Sequence, residues 1–247
     1  MKAPVQRSFD MAANTSIPHQ TPDSSRNALV DLAIVIASFM VVGVGAWSAH
    51  LSAAGTLAVI GAFAAASWRL SVRGSSWRTI GVRRPDSWPK TVGWAVVLYG
   101  ATALLVVGVV TPLSNALHWP AMDLSRFSAL RGNALALAGW LVVAWTTAAF
   151  GEELLFRGFL TTQLLTLLGT GWAAIGAAVV IQSALFAIGH AYLGARGVVT
   201  AGCVGLVYGT AYVCNRRNLT PLILAHGLTD SLSLVAIYLG ASRLGGG

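Results

Sequence analysis

Trp145-Thr-Thr-Ala-Ala-Phe-Gly-Glu-Glu-Leu-Leu-Phe-Arg157 carries both glutamates of the chain, Glu152 and Glu153, inside an apolar run. A carboxylate near the middle of a bilayer costs roughly 2.5 to 3.5 kcal/mol on insertion scales, so two adjacent ones need either partners or a task. The rest of the sequence says that a bilayer is what surrounds them. Of its 247 residues 55% are hydrophobic and 10% charged, with a mean hydropathy of +0.69. A soluble domain is usually about one quarter charged. Apolar surface on this scale has to be solvated by lipid.

Windows of about 20 residues, the length that a hydrocarbon layer of roughly 30 Å requires, predict spans near 28–47, 51–68, 92–113, 133–150, 152–168, 171–192, 197–214 and 219–240. The segment 152–168 is short and holds Glu152, Glu153, Arg157 and Gln163, so it either spans alone or prolongs the preceding helix. The expected fold is therefore all-α, a polytopic transmembrane bundle of seven to eight helices. Residues 1–27 read as a polar, disordered tail. Residues 28–130 read as N-terminal transmembrane helices with a basic cytoplasmic loop, and residues 131–240 as a membrane core that holds the chemistry. The tail lacks the pattern of a signal peptide, which makes the first span an uncleaved anchor. The C-terminal Leu-Gly-Gly-Gly carries no lipidation signal. Cys203 and Cys214 share one span and give no disulfide framework.

The net charge of +8 is concentrated: Arg69, Arg73, Arg78, Arg83, Arg84 and Lys90 all fall between the second and third spans. Positive loops stay in the cytoplasm, so this loop and the N-terminal tail are expected inside. The charge reports topology and lipid headgroups rather than nucleic acid, for which no role is expected. Fourteen Arg against two Lys, with abundant Ala and Gly, points to a GC-rich bacterial source and hence to a multi-pass protein of the bacterial cytoplasmic (inner) membrane.

The ionisable residues of the later spans fall in three short groups. Glu153 and Arg157, Phe186 and His190, and His226 and Asp230 are each four apart, which puts both members on one helical face. Glu152 and Glu153 point about 100° apart on a helix of 3.6 residues per turn and cannot share one role. Glu153 faces Arg157 as an ion-pair partner, leaving Glu152 free to project into a cavity with the histidines. Each group also has a structural reading: a salt bridge between helices, a core histidine bonded to a backbone carbonyl, a packed phenylalanine, an orienting His-Asp pair. Three such groups within the last hundred residues favour a hydrolytic site.

Glu-Glu-x-x-x-Arg (Glu152, Glu153, Arg157), Phe-x-x-x-His (Phe186, His190) and His-x-x-x-Asp (His226, Asp230), in that order, resemble the CPBP family of intramembrane proteases. That family includes CAAX prenyl endopeptidases and bacteriocin-processing or abortive-infection proteins, and the resemblance covers roughly residues 130–240. It implies hydrolysis of a peptide bond in a membrane-associated or lipidated peptide or protein. Glu152 with His190 would activate a water, His226 would donate to the oxyanion, and Glu153-Arg157 would brace the helix. Asp230 departs from the family's frequent Asn. An ionised Asp only accepts hydrogen bonds, so its expected role is to orient or protonate His226. The same departure keeps a divalent metal such as zinc in play, with Glu152, His190 and His226 as ligands and a fourth position for water.

Two other classes compete: a non-catalytic membrane partner such as a bacteriocin self-immunity protein, and a proton-coupled transporter, which would predict an internal repeat that is not evident. Eight spans with the N-terminus inside also leave a conflict. Glu152 and His190 would then lie near the cytoplasmic ends of their helices, Asp230 about 16 Å from the outer face at about 1.5 Å per residue, and Arg216-Arg217 on an outer loop. Helix breaks at Gly151, Gly189 and Gly194 are the expected remedy.

Overall fold

The structure, a computed structural model, describes residues 21–51 and 53–241, and within them all regular structure is helical. Seven long helices follow one another: α1 Pro22–Ser48, α2 Ala54–Val72, α3 Trp88–Ala116, α4 Ala134–Leu168, α5 Trp172–Ile188, α6 Gly194–Cys214 and α7 Thr220–Tyr238. All but α5 belong to segments long and apolar enough to cross a membrane. Large side chains on the outside of the bundle, Val41, Leu104 and Leu135 among them, are 72%, 76% and 85% exposed, as lipid-facing surface requires. The expected all-α polytopic bundle is borne out.

Three boundaries differ from the sequence reading. Helix α1 starts at Pro22, six residues inside the segment read as a tail. The reason is local: Thr21 and Ser24 cap each other's backbone N–H in a capping box, and Pro22 at the first helical position is already set for helix. The rest of the tail and residues 242–247 lie outside the described residues. Second, 133–150 and 152–168 are one 35-residue helix, α4. Gly151 does not break it; a side chain there would press on Val59 of α2, so the glycine serves a close approach instead. Third, α5 ends at Ile188 and α6 begins at Gly194, so the breaks expected at Gly189 and Gly194 are present, with Ala191–Leu193 forming a 3-10 turn and Gly194 taking a positive φ of 77°.

With seven helices, Arg216-Arg217 moves to the basic end of the bundle, and the conflict in the sequence topology disappears. Three hydrogen bonds tie the two segments there: the Tyr212 hydroxyl donates to Ile80 O at 2.7 Å, the Leu219 amide to Gly81 O at 3.0 Å and the Thr220 hydroxyl to Arg83 O at 2.8 Å. At the opposite end the 117–133 connection meets the α5–α6 turn through the Asp123 amide and Leu193 O at 3.2 Å, and the end of α7 through the Gly132 amide and Tyr238 O at 3.0 Å.

Near the basic end Asp31 of α1, 3% exposed, binds Arg69 at 2.7 Å and Arg73 at 3.2 Å. A buried carboxylate between two guanidiniums meets the requirement that an intramembrane charge be paired. Cys203 and Cys214 are free thiols.

Candidate active site

The middle of α4, Ala144–Leu160, is wound as π-helix. Such winding, with i→i+5 bonds, is rare and recurs at functional sites. Here it carries Glu152, Glu153 and Arg157, and its last turn is marked by the Thr161 hydroxyl reaching back five residues to Phe156 O at 2.9 Å.

Glu153 and Arg157 are both fully buried and paired as the sequence spacing predicted, Arg157 Nη1 donating to Glu153 Oε1 at 2.9 Å. The same oxygen also accepts from His226 Nδ1 of α7 at 2.8 Å. That cross-link of α4 to α7 was missed from sequence, because the two residues are 73 positions apart and no local pattern joins them. His226 Nε2 then faces Asp230 Oδ2 at 3.6 Å, too long for a hydrogen bond and close enough for attraction. The histidine is thus held between two carboxylates.

Phe186 is more than a packing residue. Its ring lies 4.2 Å beneath the Arg157 guanidinium, 4.6 Å from the His190 ring and 6.3 Å from the His226 ring, while its carbonyl accepts from His190 Nδ1 at 2.9 Å. An aromatic face beside a desolvated cation is attractive, by about 2 kcal/mol or more. A carbonyl at Nδ1 sets the tautomer of the neutral imidazole and leaves Nε2 as an acceptor. The backbone bond expected for a core histidine is therefore present, and it also orients the ring. His190 is only half-buried and lines a cavity.

That cavity, of about 540 Å³, is lined by Glu152, His190, His226, Asp230 and Tyr208, so the structure brings together the cavity-facing members predicted from sequence. Glu153 and Arg157 sit behind its wall. Oε2 is buried without a hydrogen-bond partner in both glutamates, but Oε1 of Glu153 is doubly engaged whereas Glu152 forms no hydrogen bond or ion pair among the described residues. Tyr208 of α6 was not foreseen. It is fully buried, its ring packs 6.3 Å from His226 and 5.6 Å from Arg157, and its hydroxyl makes no hydrogen bond although the Thr229 hydroxyl is a neighbour. Its position in an apolar stretch of sequence gave no signal; only the fold brings it to the cavity.

A divalent metal would need three ligands converging on one point. Among the described residues no group of three or more His, Cys, Asp or Glu is placed to hold one. The arrangement does not fit the ligand set Glu152, His190 and His226.

Residues 134–232 match the family model for type II CAAX prenyl endopeptidases, described as Rce1-like. The family recognised from the three motifs is borne out over this segment, which begins with α4 and ends past Asp230. Intramembrane proteolysis of the CAAX type is the activity this match supports for a multi-pass membrane protein with a buried polar cavity. No curated protein and no solved structure matches the chain.

Proposed function

We propose that the chain is an intramembrane endopeptidase that hydrolyses a peptide bond of a membrane-associated or lipidated substrate with an activated water. The observation that carries this reading is Glu152, which forms no hydrogen bond or ion pair among the described residues and lies in a cavity wall that also presents two oriented histidines. A structural glutamate in the membrane would be expected to hold a cation or a donor, as Glu153 does with Arg157 and His226.

Glu152 takes a proton from water, whose oxygen bonds to the scissile carbonyl carbon; His190, with Nδ1 committed to Phe186 O, offers Nε2 to the same water. The carbonyl π electrons move to oxygen. His226, held between the Glu153 and Asp230 carboxylates as the imidazolium with a proton on each nitrogen, offers Nε2–H to that oxyanion, and the Tyr208 hydroxyl is a second donor, a function that the carboxylate of Asp230 cannot supply. Collapse of the tetrahedral intermediate breaks the C–N bond, and the leaving nitrogen takes the proton held by Glu152. Glu153 acts through His226: it fixes the ring by accepting from Nδ1–H and favours its charged form, and Arg157 pairs with the same carboxylate.

The test is cleavage of a fluorogenic prenylated peptide and a transmembrane-peptide library by the detergent-purified protein, comparing wild type with Glu152→Ala and His190→Ala, with and without chelator. Turnover that both substitutions abolish and chelator leaves intact is the expected result. Chelator-sensitive turnover would replace the water-activation scheme by a metal. Absence of cleavage, with Ala variants that still complement a deletion strain, would reject the protease in favour of a binding partner.

A further inference from the structure

The cavity is open at one end of the bundle and closed at the other. Towards the mouth its wall is built from the start of α2 at Gly55 and Thr56, the 117–133 connection at Met122 and Leu124, the α5–α6 turn at Leu193, and Ile237 near the end of α7. All four elements lie at the end away from the basic loop, as the Asp123–Leu193 and Gly132–Tyr238 hydrogen bonds require. Below Tyr208 and His226 the bundle is plugged. Ile80, Tyr212, Leu219 and Leu222 are 5%, 0%, 0% and 0% exposed, and close the path towards the basic end.

The charges assign these ends to membrane faces. At the plugged end lie Arg26, Arg69, Arg73, Arg78, Arg83, Arg84, Lys90, Arg216 and Arg217; at the open end, among the described residues, lie Arg126, Arg131 and Arg196. Lysine and arginine within short loops set the orientation of a membrane protein, the richer side remaining in the cytoplasm. The plugged end is the cytoplasmic one by a threefold excess.

We propose that the cavity opens to the extracytoplasmic face, and that its substrates are exported peptides or the outward-facing segments of membrane-anchored proteins rather than cytosolic C-termini. The orientation stands on charge and packing alone; only the word substrate rests on the endopeptidase reading.

Single cysteines tested with a membrane-impermeant thiol reagent decide it, in the full chain carrying Cys203→Ala and Cys214→Ala. Ser128 sits exposed at the open end, Ser76 exposed at the plugged end, and Thr147 on the cavity wall outside the catalytic group. In intact cells Ser128→Cys and Thr147→Cys are expected to react as fully as after lysis, and Ser76→Cys only after lysis. Any other pattern overturns the assignment. Should the cysteine-free background fail to accumulate, fusion of alkaline phosphatase or green fluorescent protein after Gly247 reads the same topology in the wild-type chain. An active phosphatase and a dark fluorophore support it, and the reverse overturns it. Neither measurement depends on turnover, so a protein of this orientation that cleaves nothing would fail the proposed function without touching the orientation.

Discussion

Two neighbouring carboxylates of one helix occupy opposite surroundings. Glu153 is enclosed, with Arg157 and His226 both on Oε1, no solvent exposure and an apolar layer behind it. Glu152 is half-buried, faces the cavity and forms no hydrogen bond or ion pair among the described residues. A lipid-embedded charge that is paired stabilises the fold or sets a geometry; one left without a partner is poised to exchange protons. The difference is made by which helix each faces, α7 for Glu153 and open space for Glu152, and each half of it can be broken separately.

Glu152→Gln keeps the shape of the cavity wall and removes the proton acceptor. Loss of a general base costs roughly 10²- to 10⁴-fold, so kcat on a transmembrane-peptide substrate should fall by that factor while thermal stability in detergent is unchanged. A Gln variant with near wild-type turnover would end the distinction between the two glutamates.

Arg157→Ala should show the reverse pattern. Removing one member of a buried ion pair costs about 3 to 5 kcal/mol, and Glu153 would keep only His226 as a partner. The variant is expected to accumulate poorly and to unfold at lower temperature; if it folds and only turnover suffers, Arg157 belongs with the chemistry. Arg157 Nε and Nη2 lack hydrogen-bond partners, and the Phe186 and Tyr208 rings cover the guanidinium instead.

Tyr208→Phe sharpens the comparison at the cavity. If the hydroxyl donates to the oxyanion, its loss should cost about 10²- to 10³-fold in kcat, as for other such donors, with KM little changed. Because that hydroxyl forms no hydrogen bond to another described residue, stability should change little. A destabilised variant with normal turnover would make Tyr208 a packing residue.

How much of this was legible in the sequence follows from the range of each interaction. The Glu153–Arg157 pair and the shared face of Phe186 and His190 lie within one helical turn, and period alone revealed them. The bundle itself was legible because lipid imposes a length on every span. What escaped were contacts between helices: Asp31 with Arg69 and Arg73, Glu153 with His226, and Tyr208 at the cavity. The fusion of two predicted spans into α4 escaped for a related reason. Glu152, Glu153 and Arg157 look like an interruption of the apolar pattern until the residues that bury them are known, and those lie on α5, α6 and α7.

The smallest effect probes how α7 is held against α4. A side chain at Gly227 would come within 2.6 Å of the Trp145 ring, whose indole N–H also donates to Ser231 Oγ at 3.1 Å. This close approach sits one residue from His226, so it fixes the depth at which His226 meets Glu153. Gly227→Ala overfills the contact, for which core substitutions typically lose about 1 to 3 kcal/mol. If the approach matters only through space, trimming the partner with Trp145→Leu should restore most of the loss, and the double variant should depart from additivity by at least about 0.5 kcal/mol. Additive losses would show instead that Gly227 acts through the backbone of α7, leaving the Glu153–His226 link to hold the two helices in register.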